Sequence, residues 1–517
     1  MIHLRRISQL VFFIVFLALF FLAEDKSGMN TLDENINFFF YIDPLIGLAN
    51  ILATHKIVFA TLLSLITVIA TLFFGRVFCG WVCPFGALNQ FVGYLKKRKL
   101  KKPAPDIYSP IQKIKYLILI FFLAGTIFSV NQIGLLDPFS FFGRSFTLGV
   151  IPIVQFVTTR FFDLLFAINN DSVTNLAGNT LYVIKNNVFY FFTPHFSYTL
   201  LLTIIFLAIV FLNLYRSRYW CRVICPLGAL LGLISHISFL RLKMNDKCTH
   251  CASCTHHCEG ACNPHIKDGW IASECVMCLN CTTECPEKAL SFVMGKRKAT
   301  EPALDISRRR IISSGLLGIL SVPLLRQQFW AKRVNPKLIR PPGAIPEPNF
   351  LAACIKCGNC MRACPTNFLQ PTLLEAGVEG MFSPTGVGQK GYCEYNCTVC
   401  GQACPTKAIT ELSLTKKQTV KIGTACIDKS RCLTYAYNKP CIVCEEHCPT
   451  PIKAIWTEKV EIKDRNGKTI LIAQPHVDPA LCIGCSICEN VCPVLDKPAI
   501  YVTSIGEVRS KTNRLLL

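Results

Sequence analysis

Thirty cysteines in 517 residues fall into short runs whose spacing leaves few folds open. Four runs read C-x2-C-x2-C-x3-C: Cys248, Cys251, Cys254, Cys258; Cys275, Cys278, Cys281, Cys285; Cys354, Cys357, Cys360, Cys364; and Cys482, Cys485, Cys488, Cys492. Three of them continue into proline, at Pro286, Pro365 and Pro493. Two variants complete the set: Cys393, Cys397, Cys400, Cys404-Pro405 and Cys432, Cys441, Cys444, Cys448-Pro449. Thiolates two residues apart on a tight loop wrap one iron–sulfur cube, and the cysteine before proline reaches over to the neighbouring cube. Six runs of four give 24 ligands and six [4Fe–4S] clusters. Structural zinc sites lack the remote fourth cysteine. Disulfide scaffolds belong to short secreted chains, not to a long chain with apolar helices.

Apolar residues make up 51% of the chain, with 37 Phe, and they concentrate before residue 240. Stretches 8–23, 56–74, 114–131 and 198–215 approach the roughly 20 apolar residues that a bilayer requires; a fifth, 311–325, is short. No small-residue cleavage site follows Phe21-Leu22-Ala23, so the first stretch reads as an anchor. The net charge of +22 comes largely from Lys/Arg groups beside helix ends, at Lys96 to Lys102 and at Arg216, Arg218 and Arg222. With Arg5 and Arg6 these place the N-terminus and the even-numbered helix ends in the cytoplasm. Parity then keeps 145–168, which carries Arg160 and Asp163, on the outer surface. No basic patch interleaved with stacking aromatics is present, so nucleic acid is not a partner.

One phrase occurs twice: Arg76-x2-Cys79-x3-Cys83-Pro84-Phe85-Gly86-Ala87-Leu88 and Arg218-x2-Cys221-x3-Cys225-Pro226-Leu227-Gly228-Ala229-Leu230. Asp43-Pro44 and Asp137-Pro138 form a looser echo on the outer side. Duplication of a helix with its motif predicts pseudo-twofold packing. That brings Cys79, Cys83, Cys221 and Cys225 together at the inner face, as a seventh cluster or as two redox pairs.

On the two C-x3-C-P motifs and the paired runs from Cys248 to Cys285, residues 1–300 resemble the quinol-oxidising membrane subunit of periplasmic nitrate reductase systems. More broadly they resemble the nitrous-oxide reductase maturation protein and a cytochrome-oxidase accessory protein. The chain departs from the pattern at Cys258, which is followed by Glu259 and then by Cys262-Asn263-Pro264. Cys258 or Cys262 is the exchanged ligand, with spacing favouring Cys258. Ser307-Arg308-Arg309-Arg310 before an apolar stretch resembles a twin-arginine export signal, followed by a linker at Pro341-Pro342-Gly343 and Pro346. An arginine-flanked helix on the inner surface is the alternative. Residues 345–505 resemble the four-cluster ferredoxin subunit that partners the membrane subunit, on Gly391-Tyr392-Cys393 and Cys432-Leu433-Thr434-Tyr435. By analogy with polyferredoxins the outer runs, from Cys354 and Cys482, pair with each other, and the inner runs, from Cys393 and Cys432, do likewise. Cys426 is a spare thiol.

The expected fold is a polytopic α-helical membrane domain (four helices plus a fifth anchor) followed by α+β bacterial-type polyferredoxin domains. The boundaries are 1–240, 241–300 (two clusters, cytoplasmic), 301–345 (anchor and linker) and 346–517 (four clusters, periplasmic). The resemblance implies a multi-pass protein of the inner membrane that carries electrons from the quinol pool to a periplasmic reductase or electron carrier. His55, His195, Asp43 and Asp137 are the candidate quinol residues, as proton acceptors near outer helix ends. No C-x-x-C-H haem motif or terminal catalytic site is present. An accessory role in metalloenzyme assembly is the second reading.

Overall fold

The computed structural model describes residues 2–24, 30–99, 107–168, 171–187, 189, 194–267, 269–295, 306–326, 335–463, 469–510 and 513. Lys101 and Lys102 of the expected basic cluster lie outside them. The chain divides into two units, Met1–Phe21 with Asn35–Ser145 and Leu200–Leu324, and Leu22–Glu34 with Phe146–Thr199 and Leu325–Leu517.

Among the described residues, three helices are long and apolar enough to cross a membrane: Ile2–Leu22, Pro110–Ile127 and Pro138–Phe166. A fourth span arises if Asn35–Tyr41 and Pro44–Thr54, bent by 83°, count as one. This set differs from the expected one. Phe59–Phe74 and Thr199–Tyr215, expected as spans, are shorter; at 1.5 Å per residue each falls short of the roughly 30 Å hydrocarbon core. The segment 145–168, expected to stay outside the bilayer, belongs to a 29-residue apolar helix. Its two charges, Arg160 and Asp163, pair with each other at 3.7 Å one turn apart, which softens the argument against burial.

Arg5, Arg218 and Arg222, expected as positive-inside signals beside helix ends, are buried. The helix of the twin-arginine segment, Arg308–Leu325, packs against Ile114–Ile127 within the first unit. Ser314 Oγ donates to the Leu117 carbonyl at 2.7 Å. A Cβ at Gly318 would collide with the Phe121 carbonyl. Small residues one turn apart allow two helix backbones to approach closely where lipid gives no hydrophobic drive.

Three modules carry the cysteine runs, each closed by antiparallel pairing of its two flanks. Leu240–Met244 pairs with Leu290–Met294 around the runs from Cys248 and Cys275. Ala344 bridges Ile409 around the runs from Cys354 and Cys393. Thr424–Ile427 pairs with Ile500–Thr503 around the runs from Cys432 and Cys482, with Cys426 opposite Tyr501. The long hairpin Ile455–Lys463 and Thr469–Val477 is inserted between the last two runs.

Residues 335–345, expected as a linker, are part of the second unit. Leu338 and Ile339 are buried, and Ile339 bridges Gly386. Arg340 donates to Ser383 Oγ at 2.9 Å and the Pro384 carbonyl at 2.6 Å, and its guanidinium lies 4.6 Å from the Phe350 ring. Glu347 receives Arg340 at 2.6 Å and Arg509 at 2.7 Å. Although burial alone would raise the Glu347 pKa, the two guanidiniums hold it down to about 2. The folded value is depressed, so the clamp's contribution is full above the ordinary carboxylate range and is lost as pH falls through about 2.

Two outcomes are expected. Gly318→Val should lower the thermal midpoint of the detergent-solubilised protein by about 1–3 kcal/mol of stability, the range for overpacking, while Ser314→Ala changes it little. Glu347→Gln leaves buried Arg340 without its counter-charge and should cost about 3–5 kcal/mol at neutral pH, seen as cluster absorbance lost at lower urea.

Candidate iron–sulfur centres

The four regular runs share one backbone. The residues flanking the second cysteine both have positive φ: His250 and Ala252, Met277 and Leu279, Lys356 and Gly358, Gly484 and Ser486. Only three of these eight are suited by being glycine or a small polar residue, and the left-handed conformation costs other residues roughly 1–2 kcal/mol each. The turn points three sulfurs inward, and a bound metal core offsets that strain. In the variants the residues after the second cysteine, Thr398 and Ile442, instead have negative φ, −126° and −129°.

The fourth sulfur comes from the partner run of the same module. Cys254 lies among Cys285, Cys248 and Cys251. Cys281 lies among Cys278, Cys275 and Cys258. A cavity of about 360 Å³ is lined by Cys354, Cys357, Cys360 and Cys404, and Cys400 lies among Cys393, Cys397 and Cys364. Two further pockets are lined by Cys432, Cys441, Cys444 and Cys492, and by Cys448, Cys482, Cys485 and Cys488. The expected nesting is therefore corrected. The run from Cys354 pairs with that from Cys393, and Cys432 with Cys482, because each module's flanking strands close around consecutive runs.

These sites fit a cube and not a single ion. Four sulfurs about 2.3 Å from one zinc would lie within about 4 Å of each other; among the described residues no three His, Cys, Asp or Glu side chains converge on one ion. Burial, then neighbouring thiols, push Cys444 up to about 12. Cys397 and Cys485 are likewise pushed up to about 12, burial again being the main cause. Bare sites would thus stay protonated, whereas a cationic core deprotonates its ligands. Backbone N–H groups of Ala289, Ile409 and Ala499 donate to the sulfurs of Cys285, Cys404 and Cys492 at 3.3–3.4 Å, bonds that tune cluster potentials.

In the first module, Cys258 and Cys262 sulfurs are 3.5 Å apart, and the Cys262 N–H also donates to Cys258 Sγ at 3.4 Å. Hydrogen bonding from Cys262 holds the Cys258 thiol low and leaves Cys262 protonated. Cys258 also neighbours Cys278 and Cys281 of the second run, as an exchanged ligand would. Glu259, where the other runs have proline, receives Arg218 at 2.8 Å and Arg5 at 3.8 Å, and accepts from Gln90 at 2.7 Å. Glu274, next to Cys275, receives Lys115 at 2.5 Å, Gln112 at 3.0 Å and the Tyr116 hydroxyl at 3.1 Å. Two carboxylates adjoining ligands of one cube thus fasten this module to the apolar helices. Sequence reasoning missed both; the replacement of proline at 259 was the available signal.

Arg218 belongs to the duplicated motif. Cys79, Cys83, Cys221 and Cys225 are all buried and gather together, Cys225 lying among Cys221, Cys79 and Cys83. Cys83 Sγ accepts from the Gly86 N–H at 3.4 Å and Cys225 Sγ from the Gly228 N–H at 3.2 Å, each at the start of a helix beginning in proline. Arg218 donates to the Cys79 carbonyl at 3.0 Å, and Arg76 to the Ser273 carbonyl at 2.9 Å. A Cβ at Gly228 would stand 2.8 Å from the Arg76 guanidinium, and one at Gly86 3.6 Å from that of Arg218. Gly228 makes room for the other motif's arginine, whereas Gly86 makes room for the Cys79 carbonyl, 2.8 Å from where its Cβ would stand.

Asp43 and Asp137 are also brought together. Both are fully buried and cap the helices that follow. Asp43 accepts from the Leu45 and Ile46 N–H groups at 2.7 and 3.2 Å, Asp137 from those of Phe139 and Ser140 at 3.1 and 2.9 Å. The two carboxyls adjoin, with the Ser140 side chain beside Asp137. Phe139 packs edge-on against Phe78, beside Cys79, with ring centroids 6.0 Å apart. His55 and His195 are exposed, His55 ending the helix Pro44–Thr54 in a left-handed turn.

If Cys258 is the ligand and Cys262 its donor, Cys258→Ser should lower iron by about four atoms per chain. Cys262→Ser should keep the iron and shift the potential of that cube, read by redox-titrated electron paramagnetic resonance.

Known proteins match in the same places. A family model described as a 4Fe-4S binding domain matches residues 57–103 and 198–245, one copy of the duplicated motif in each. A 4Fe-4S dicluster domain matches 353–408, the two runs paired here, and a further 4Fe-4S binding domain matches 474–496. The methylamine utilization ferredoxin-type protein MauM of Methylorubrum extorquens is 35% identical over 205 residues, 38% of this chain and 88% of that protein. The ferredoxin-type protein NapG of Escherichia coli is 35% identical over 206 residues, 38% of this chain and 86% of that protein. An uncharacterized protein of Methanocaldococcus jannaschii is 27% identical over 304 residues, 57% of this chain and 97% of its own. No solved structure matches the chain. The chain belongs to the family of ferredoxin-type proteins, which bear [4Fe–4S] clusters for electron transfer, and joins such a ferredoxin to the duplicated C-x3-C-P segment.

Proposed function

We propose that this protein oxidises a quinol in the inner membrane and delivers the electrons, through six [4Fe–4S] clusters, to a periplasmic reductase or electron carrier. The observation that carries this reading is the continuity of one buried core. The Asp43–Asp137 pair, the Phe139–Phe78 contact, the four motif cysteines and the module containing Cys275 follow one another within the first unit. When bound, the clusters supply one-electron carriers whose potentials the surrounding hydrogen bonds and burial adjust.

The chain's own groups divide the remaining work. Quinol oxidation releases two protons with its two electrons, so a buried acceptor oxygen is needed close to the redox group. The buried, adjoining carboxyls of Asp43 and Asp137 meet that need better than the exposed His55 and His195. The four motif cysteines form the first electron-accepting site, as a seventh cluster or as dithiol pairs, with Arg76 and Arg218 balancing the charge that accumulates there.

The proposed boundaries place 1–240 in the membrane, 241–300 in the cytoplasm and 346–517 in the periplasm, with Arg308–Leu325 as a retained anchor. Each ferredoxin keeps different company. Glu259 of the first binds Arg5, near the start of the helix Ile2–Leu22. Arg362 of the second binds Glu24, just past that helix's end, and Gln402 binds the Asn30 carbonyl and the Leu32 N–H. A helix long enough to cross a bilayer therefore lies between the two contacts in the chain.

Membranes containing the intact protein should show cluster reduction on addition of a menaquinol or ubiquinol analogue; intact clusters that neither quinol reduces would sink the proposal. Asp43→Asn and Asp137→Asn preserve helix capping, since Asn caps as well as Asp, but remove the proton acceptor. Each should slow quinol-driven reduction by about 10²-fold or more and leave iron content and dithionite reduction unchanged.

A further inference from the structure

We infer that the four clusters of the second unit form a single file that does not follow chain order. Named by their first ligands, the order is Cys354, Cys393, Cys482, Cys432.

Exchanged ligands fix the two outer steps. Cys364, from the first run, completes the Cys393 site, and Cys404, from the second, completes the Cys354 site. Cys360 of one site lies close enough to Cys400 of the other to be pushed up partly by it. In the last module Cys448 completes the Cys482 site and Cys492 the Cys432 site, and Cys488 of one feels Cys444 of the other. Each pair of sites therefore shares two stretches of chain.

The middle step is a contact between modules of the same unit. The Cys393 N–H donates to the Cys485 carbonyl at 2.8 Å, so ligand residues of two different modules are hydrogen-bonded through their peptides. Among charged neighbours Cys485 feels Cys393 before its own companions Cys482 and Cys448. Two further bonds clamp the seam. Asn490 Nδ2 donates to the Gly388 carbonyl at 3.0 Å, and Gly388 is packed so closely on Glu489 that a Cβ there would collide with its carboxylate. The Cys393 and Cys482 sites are thus the inner pair, leaving Cys354 and Cys432 as the ends.

The ends differ in burial. Cys354, Cys357 and Cys360 are buried, whereas all four residues of the Cys432 site are half-exposed. Beside them Tyr437 and Leu495 are 60% and 98% exposed. The Cys432 site is the solvent end, where electrons leave for a soluble acceptor. That last statement rests on the direction proposed above; the order does not.

Single ligand variants of the full-length detergent-solubilised protein test this: Cys357→Ala, Cys397→Ala, Cys485→Ala and Cys441→Ala, each expected to lose about four iron atoms per chain. In dithionite-reduced samples, neighbouring reduced clusters broaden each other's paramagnetic resonance. Cys397→Ala should leave the Cys354 cluster as an isolated, narrow signal, and Cys485→Ala should isolate the Cys432 cluster. Cys357→Ala and Cys441→Ala should each leave a coupled trio. Isolation of the Cys354 cluster by Cys485→Ala instead would overturn the order. A dysprosium chelate should relax the isolated Cys432 signal more than the isolated Cys354 signal; the reverse would refute the solvent end alone. Where a variant loses about eight iron atoms, dipolar couplings in partly reduced wild-type protein replace it. Three strong couplings support the file, and a strong Cys354–Cys482 coupling rejects it.

Discussion

The exchanged fourth cysteine is the constraint on which the rest of this structure depends. A run of three thiols two residues apart cannot close a cube by itself, so every run must fold with a partner that returns its last cysteine. The pairing of flanks follows from that exchange. Chain entering before the first run and leaving after the second must emerge side by side, which is why Leu240–Met244 meets Leu290–Met294 and Thr424–Ile427 meets Ile500–Thr503. The modules need little hydrophobic core because metal binding supplies folding free energy that burial would otherwise have to provide. Short strands and one-turn helices suffice.

A second constraint governs the apolar half, where charge is buried in place of water. Arg76, Arg218, Lys115, Glu259 and Glu274 are all almost inaccessible. A buried ion pair often gains little over a hydrophobic contact, but losing one partner is severe. The charges here are not isolated pairs. Glu259 gathers Arg5 and Arg218, and Glu274 gathers Lys115, Gln112 and Tyr116. Both carboxylates sit one residue from a ligand of the same cube, so the docking of the first ferredoxin and the geometry of that cube are set by the same bonds. The close approach of the Cys79 carbonyl to Gly86, and of Arg76 and the Cys221 carbonyl to Gly228, gives the repeated C-P-x-G phrase a physical reason.

How much of this was legible in the sequence depended on the range of the interaction. The ligand sets within a run were readable because a tight loop and a metal impose fixed spacing. The meeting of Cys79, Cys83, Cys221 and Cys225 was readable because a duplication implies symmetry. Which runs pair was not, since Cys404 is equally free in sequence terms to serve any cube; flanking contacts such as Ala344 with Ile409 decide it. Helix lengths were misjudged for a related reason. Hydropathy treats Arg160 and Asp163 as two charges, while one helical turn makes them a pair. The strap at 335–345 reads as a linker from its prolines, yet Arg340 and Glu347 anchor it. The positive φ residues were hidden too, because Lys356 and Met277 carry no signature of a left-handed turn.

The Asp43–Asp137 pair shows where these constraints leave room for chemistry. As helix caps, either Asp or Asn would serve, and one accepting oxygen per residue is enough. Two fully buried carboxyls side by side are an expense that capping does not explain. On the proposed reading, these adjoining carboxyls, with Phe139 leading toward Phe78 and Cys79, put a proton-binding group beside a redox group. Loss of an electron from a bound hydroxyl group makes its proton far more acidic, and a neighbouring carboxylate can then receive it without charge separating across the apolar core. Proton and electron would leave the same site by different routes, the proton through the carboxyl pair and the electron through the motif cysteines. That separation is what a membrane oxidation of a two-electron, two-proton donor demands of its protein.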